Sequence, residues 1–257
     1  MKNIAIFVSG SGSNCENIIR YFQENPEVVV KLVISNKSDA YALVRAEKLG
    51  VPSVVVTGRE MREEPEKVLN LVKDMDLLVL AGYLVQVPAY LIEAFPRRIV
   101  NIHPALLPKY GGKGMYGHHV HEAVKRAGET ESGITIHYVN ERLDEGQIIA
   151  QFKTPLSPDD TPDDIFDKVH VLELEHFPKV IEEVLKDEIH SAWEHGLPPY
   201  LQHDLDAYKE GRRNNSSLLD CLWCELYGSI NGAEIDDQAI THEHAQYLRD
   251  KFLWHKI

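Results

Sequence analysis

The sequence predicts an α/β fold: a doubly wound, mainly parallel sheet with an added antiparallel pair, followed by a small helical C-terminal appendage. Three observations predict it. From residue 3 to residue 102, short β-branched runs alternate with segments whose apolar residues recur at helical spacing. Past Tyr110, two further β-rich runs face each other across a polar turn. Near residues 187–199 the pattern breaks, and only helical spacing follows.

In chain order, strands are expected over residues 3–8, 28–35, 53–56, 77–81 and 99–102, with helices over 15–23, 40–49, 65–73 and 89–94. A helix between two strands returns the chain to the same edge of the sheet, so this rhythm implies parallel pairing. Gly111 to Gly117 reads as a flexible loop, and residues 118–126 resume a helix. Residues 133–139 and 147–153 flank the turn 140–146 as the antiparallel pair. Thr161-Pro162-Asp163-Asp164 is a helix start, with a capping hydroxyl, a proline at the first helical position and acids in the first turn. That helix is expected to reach about residue 185, kinked at Pro178. Gly196-Leu197-Pro198-Pro199 resists regular structure, and helices follow over 202–211, 217–227 and 241–253. Residues 1–188 thus read as one domain and 189–257 as an appendage.

The 257 residues are 44% hydrophobic and contain no apolar run near the ~20 residues that span a bilayer. No membrane partner is expected. Met1-Lys2-Asn3 leads straight into a short strand rather than a signal segment, and Cys15, Cys221 and Cys224 do not make a disulfide framework. Both features favour a cytoplasmic setting. A formal charge of −13 argues against nucleic acid as a partner. It also sets a demand: any anionic ligand needs a site that is locally positive or rich in backbone N–H donors.

The chemistry concentrates in residues 99–110, Ile-Val-Asn-Ile-His-Pro-Ala-Leu-Leu-Pro-Lys-Tyr. Asn101 and His103 are two apart at the end of a strand, so both point into one space. Asn101 offers an amide donor for an oxyanion, and His103 a proton carrier with a pKa near working pH. Pro104 ends the strand. Asp144, in the turn Leu143-Asp144-Glu145-Gly146, can supply a carboxylate that orients the imidazole or relays its proton. Amide, imidazole and carboxylate suffice for acyl transfer to an amine without a metal. Upstream, Ser9-Gly10-Ser11-Gly12-Ser13-Asn14 joins a strand to a helix, where free N–H groups bind anions. Gly10 and Gly12 match the start of a dinucleotide fingerprint, but Cys15 replaces its third glycine. Glu173 falls inside an apolar helix stripe with Ile165, Val169, Leu172 and Val184, where a carboxylate needs a partner unless it sits at the stripe edge and reaches solvent.

Asn-Ile-His-Pro, Leu-Leu-Pro-Lys-Tyr, Leu-Asp-Glu-Gly and the 9–14 loop together resemble the folate-dependent formyltransferases, over residues 1 to about 186. The resemblance implies transfer of a formyl group from 10-formyltetrahydrofolate to the amine of 5-phosphoribosylglycinamide. It implies that Asn101, His103 and Asp144 are catalytic. It further implies that Ser11, Gly12, Ser13 and Asn14 hold a 5′-phosphate and that Glu173 binds ribose hydroxyls. Leu84, Val85, Gln86 and Val87 would contact folate, with Asn101, Asn140 and the rest of the turn to Asp144 closing over it. Arg59, or else Arg62, would match a further folate contact. Val85 departs from the family, which places an arginine there. Lys109 and the 111–117 loop are expected at the rim, and His137 is either a second polar wall or a packed strand residue.

Competing readings are another folate-dependent formyltransferase, a formyltetrahydrofolate deformylase or, in a different class, a nucleotide-binding dehydrogenase or binding module. The last class leaves Asn101, His103 and Asp144 unexplained. A tRNA-directed relative would be expected to carry a basic C-terminal domain, whereas residues 191–257 hold 6 Lys and Arg against 11 Asp and Glu. A deformylase would be expected to carry a regulatory domain before the first strand. Cys221 and Cys224 with His242 and His244 suggest zinc only weakly, because the histidines lack zinc-site spacing. His118, His119 and His121 read as a surface helix without a role. Leu218, Leu219, Leu222, Trp223 and Leu226, and Ala245, Leu248 and Phe252, form stripes that short helices bury poorly alone. They are expected to dock on the catalytic domain or on a second subunit, as in a homodimer.

Overall fold

Seven strands make one sheet in the order β3-β2-β1-β4-β5-β6-β7. β1 (Lys2–Val8), β2 (Val28–Ser35), β3 (Ser53–Val55), β4 (Leu77–Leu80) and β5 (Ile99–His103) run parallel. β6 (Glu131–Tyr138) and β7 (Ile148–Pro155) add the antiparallel pair. The computed structural model describes residues 1–192, 194 and 197–254. The described chain divides into two compact units, Met1–Glu182 and Glu183–Ile257.

The parallel strands are apolar on both faces because helices cover both. On β1, Ala5 and Phe7 join a core with Leu78, Leu80, Val68, Val72, Leu91 and Phe95. Ile4, Ile6 and Val8, equally buried, alternate to the opposite face. The covering helices of the first unit are α1 (Ser13–Phe22), α2 (Tyr41–Lys48), α3 (Gly58–Glu63), α4 (Pro65–Val72), α5 (Ala89–Ala94), α6 (His118–Arg126) and α7 (Pro162–Ala192). α3 escapes a periodicity reading because six residues are too short a window. Its signal is local: Thr57 Oγ1 accepts from the Glu60 N–H at 3.2 Å, while the Glu60 carboxylate accepts from the Thr57 N–H at 2.7 Å.

α7 continues as one helix through Pro178. Proline has no N–H to give the carbonyl four residues back. That carbonyl, on Leu174, instead accepts from Asn17 Nδ2 at 2.7 Å, so α1 supplies the bond that the helix lacks. In the second unit, α8 (Pro199–Arg213), α9 (Leu219–Asn231) and α10 (His242–Leu248) are followed or joined by π-type turns at Gly232–Asp236 and Arg249–Leu253. They have a core of their own, including Leu201, Leu205, Tyr208, Leu226, Ile230, Ala245 and Leu248. Part of the cover expected from an outside surface comes from within this unit. α8 and the 232–240 segment supply the missing face, and only Leu218 of the first stripe is left 62% exposed. Cys221 and Cys224 are exposed, and among the described residues no group of three or more His, Cys, Asp or Glu is placed to hold a metal ion.

A tight backbone constraint at the turn between β1 and α1 is Gly12, at φ 76°. A β-carbon there would come within 2.4 Å of Ala42 Cβ and 2.7 Å of Ala42 Cα, on the first turn of α2. The glycine therefore serves helix packing as well as access to its backbone. Gly12→Ala is expected to destabilise the fold by at least about 2 kcal/mol, through the left-handed conformation and the clash together. A thermal unfolding midpoint equal to wild type would show that α2 yields without cost.

Candidate active site

In this strand order the connections leave the sheet in opposite directions from β1 and β4, and a crevice opens beyond their C-terminal ends. A cavity of about 640 Å³ lies there. Residues 9–14 after β1 and 81–86 after β4 line it, as do Asn101 and His103 of β5, residues 112–117, Leu143 and Asp144. α7 contributes Phe166, Val169, His170 and Glu173, and α6 contributes His121.

The antiparallel register of β5 and β6 builds the polar centre. Asn101 pairs with His137, and His103 with Thr135. His137 Nδ1 lies 2.9 Å from the Tyr138 carbonyl, an acceptor only, so Nδ1 carries the proton. Its Nε2 then accepts from Asn101 Nδ2 at 3.1 Å, which leaves the second Asn101 N–H for a ligand. Gly146 makes this possible, because a β-carbon there would fall 1.6 Å from the Tyr138 oxygen. Thr135 donates to the Ala105 carbonyl at 2.6 Å and accepts from the Leu107 N–H at 3.0 Å, pinning the loop that follows His103.

His103 is 4% exposed and donates from Nε2 to the Tyr110 carbonyl at 2.7 Å. Its Nδ1 faces Asp144 Oδ2 at 3.6 Å, longer than a hydrogen bond. The direct hold of Asp144 on the imidazole expected from sequence is thus replaced: a backbone carbonyl orients the ring, and Asp144 acts on it through space. Burial holds the imidazole below its ordinary value, and Asp144 and the Tyr110 carbonyl pull upward without overcoming it. Asp144 accepts from the Gly112 N–H at 2.8 Å. Burial alone would raise its carboxyl, but the N–H and positive charge that His137 and His103 offer when protonated, together with the Gly112 N–H, hold it below its usual range. Tyr110 and Asp144 both have φ 58°, a left-handed conformation that costs non-glycine residues roughly 1–2 kcal/mol and aims the carbonyl and carboxylate at one ring.

At the other end, Asn14 Nδ2 donates to Glu173 Oε2 at 2.8 Å, and His170 Nδ1 donates to the same oxygen at 3.0 Å. The bond to Glu173 raises the His170 pKa. Glu173 is therefore partnered within the cavity wall rather than reaching bulk solvent at a stripe edge. Ser11, Gly12, Ser13 and Asn14 line the cavity, as do Lys37 and Lys113. Ser9, the first residue of the loop motif, ties the loop down: its Oγ donates to Asn36 Oδ1 at 2.6 Å and accepts from the Leu84 N–H at 2.8 Å.

Other expected residues lie elsewhere. Leu84, Val85 and Gln86 line the cavity, but Val87 is packed into the core beneath. Asn140 holds its own turn, accepting from the Arg142 N–H at 2.9 Å and donating to the Glu145 carbonyl at 3.2 Å. Arg59 is exposed and pairs with Glu63 at 2.7 Å. A β-carbon at Gly58 would lie 3.6 Å from Arg62 Nη1 and 3.7 Å from Val85 Cγ2, so Arg62 is the arginine beside the 84–87 segment. Lys109 pairs with Glu129 at 2.8 Å and lines a separate, smaller cavity. His121 is the main correction: it is 1% exposed, against the surface position expected. Val120, His121 and Val124 form the buried face of α6, and one histidine among three gives no sequence cue.

A profile of the formyl transferase family matches residues 2–181. A chloroplastic phosphoribosylglycinamide formyltransferase of Arabidopsis thaliana is 38% identical over 212 residues, covering 79% of this chain and 71% of that protein. A trifunctional purine biosynthetic protein of Drosophila melanogaster is 36% identical over 188 residues, 70% of this chain but 14% of its own length. The crystal structure of phosphoribosylglycinamide formyltransferase from Streptococcus pneumoniae superposes with a TM-score of 0.64 at 38% identity, over 72% of this chain and 99% of that one.

The buried histidines set a pH dependence. His103 and His121 both titrate below the ordinary value in the folded chain, His121 pushed down to about 4, chiefly by burial. Between that value and the unfolded value of about 6.5 the unfolded chain binds more protons, so stability rises with pH across the window and is lost on acidification. His121 contributes at most about 3 kcal/mol, and the raised pKa of His170 opposes the trend. His121→Phe is expected to flatten the fall in unfolding free energy between about pH 6.5 and 4 in denaturant titrations. An equally steep fall in that variant would assign it to other groups.

Proposed function

We infer the reaction from kinship first: this chain belongs to the formyl transferase family. It transfers a formyl group to the amine of 5-phosphoribosylglycinamide, a step of purine biosynthesis, with 10-formyltetrahydrofolate as the donor. The observation that supports this most is the joining of two chemistries in one cavity. An amide, an imidazole and a carboxylate sit at one end, and an N–H-rich loop with Glu173 at the other.

The 9–14 loop meets the demand set by the net charge. Ser11, Gly12, Ser13 and Asn14 take the 5′-phosphate through backbone N–H groups and hydroxyls at the start of α1. Glu173, held on one oxygen by Asn14 and His170, keeps its other oxygen for the ribose hydroxyls. The folate lies along Leu84, Val85 and Gln86. The substrate amine attacks the formyl carbon, and the free Asn101 N–H receives the oxygen as it becomes an oxyanion. Burial leaves His103 neutral at rest, so the imidazolium forms during the step. Nδ1 takes the proton from the attacking amine, Asp144 supports the resulting charge, and the proton then passes to the departing folate nitrogen. No helix among the described residues is long and apolar enough to cross a membrane.

The deciding assay is formyl transfer to phosphoribosylglycinamide, followed by folate absorbance. His103→Ala is expected to lower kcat by ~10²–10⁴ with substrate affinity kept. Asp144→Asn is expected to lower kcat and move its acidic limb to lower pH, because a neutral amide no longer supports the imidazolium and the neutral base persists further into acid. Wild-type kcat in the first variant, or an unmoved profile in the second, would remove that residue from the mechanism.

All these residues precede the second unit, which has its own core. A chain ending at Lys186 is therefore expected to keep its formyl transfer per folded molecule. A folded truncation of native secondary structure without activity would show that the C-terminal unit completes the site.

A further inference from the structure

Among the polar side chains of the cavity wall that the mechanism above does not use, one is a buried imidazole. His121, on α6, is 1% exposed and lines the cavity. Its Nδ1 is sealed from solvent and has no hydrogen-bond partner. Buried polar atoms are rarely left so, and a leucine would fill the same space among Val120 and Val124 without that penalty. A buried N–H with no acceptor costs more than a bare ring nitrogen, so the ring proton belongs on Nε2. The sealed Nδ1 side leaves the Nε2–H edge to face the cavity.

The ring is held firmly. Phe166 meets it edge to face at 5.6 Å and 82°, and His118 at 6.4 Å and 66°. Phe166 in turn stacks on His170 at 5.5 Å, and His170 bonds Glu173. Through Phe166 and His170 the ring is linked to Glu173 at the ribose end, and it lines the same cavity as His103 of the transfer centre. The substrate group that spans this interval is the glycinamide, whose carbonyl oxygen is an acceptor.

We propose that His121 is a further specificity residue: its Nε2–H donates to the glycinamide carbonyl oxygen and so sets the amine beside His103. This rests on the reaction assigned above. The donor is neutral, so it selects an amide oxygen without adding a charge that the phosphate would attract out of place. The groups facing it are Glu173 and Phe166 on α7, His118 on α6 and His103 at the end of β5; His118 faces Asp163 at 3.6 Å.

The test is calorimetric titration of the full-length chain with two probes, phosphoribosylglycinamide and ribose 5-phosphate. Ribose 5-phosphate lacks the carbonyl. His121→Phe keeps the ring and removes the donor. It is expected to weaken phosphoribosylglycinamide by about 10-fold and to leave ribose 5-phosphate unchanged. His121→Gln places an amide N–H near the Nε2 position and is expected to stay within about 3-fold of wild type. The ratio of wild-type to His121→Phe affinity is expected to be flat from about pH 6 to 8, since the donor is already neutral there. Equal weakening of both probes in His121→Phe and His121→Gln would make His121 structural only, and unchanged affinities would remove it from the site. A ratio that titrates near pH 6.5 would overturn the neutral donor. Failure of the wild-type chain to bind or formylate phosphoribosylglycinamide would instead sink the reaction itself.

Discussion

The antiparallel pairing of β5 with β6 is the constraint on which the site depends. In that register His137 stands opposite Asn101, and Thr135 opposite His103. Each catalytic candidate thus receives a cross-strand partner that fixes its conformation. His137 spends both ring nitrogens on local bonds and turns the Asn101 amide outward. Thr135 fastens the loop that leads from His103 to Tyr110, whose carbonyl holds the imidazole. A slip of one residue would send every one of these side chains to the opposite face of the sheet. The turn between β6 and β7 then returns Asp144 to the same place, with Gly146 giving the backbone room to do so.

An acidic chain that binds an anion solves its electrostatic problem locally. The loop after β1, proposed above to take the phosphate, lines the cavity at the start of α1, and at a helix N-terminus the direction of N–H groups matters more than net charge. Glu173 would repel a phosphate if left bare, but Asn14 and His170 take up one of its oxygens and direct the other. The same contact zone between α1 and α7 shows how a proline is tolerated inside a long helix. Asn17 supplies the hydrogen bond that Pro178 withholds, next to the part of α7 that carries Phe166, Val169, His170 and Glu173 to the cavity.

The second unit follows a different logic. Its helices are short, yet their apolar faces close on each other once α8 and the 232–240 segment are included. Glu194 gathers Lys209, Lys251 and Tyr247 at 2.6–2.9 Å and ties distant parts of this unit together. Burial would raise the Glu194 carboxyl, but these donors bring it down to about 2. Such a network gives a small unit order that its apolar area alone supplies poorly.

The sequence by itself determined the strand–helix rhythm, the antiparallel addition and the cluster of Asn101, His103 and Asp144. These are legible because period-two and helical spacings are local, and because Asn101 and His103 share a face by strand geometry alone. The anion loop is legible for the same reason, since a glycine-containing turn before a helix is a local device. Tertiary structure alone decided which atom each group addresses. Nothing local says that Tyr110 rather than Asp144 orients His103, that Asn101 leans on His137, or that Arg62 rather than Arg59 lies beside Val85. Those choices come from register and from left-handed residues in loops. His121 is the sharpest case. A histidine on a helix shows no preference for either face in sequence, and only the packing of α6 and the ring contact with Phe166 turn it inward. Burial, hydrogen-bond partnering and proton position are properties of what surrounds a side chain, and that is assembled only when distant segments meet.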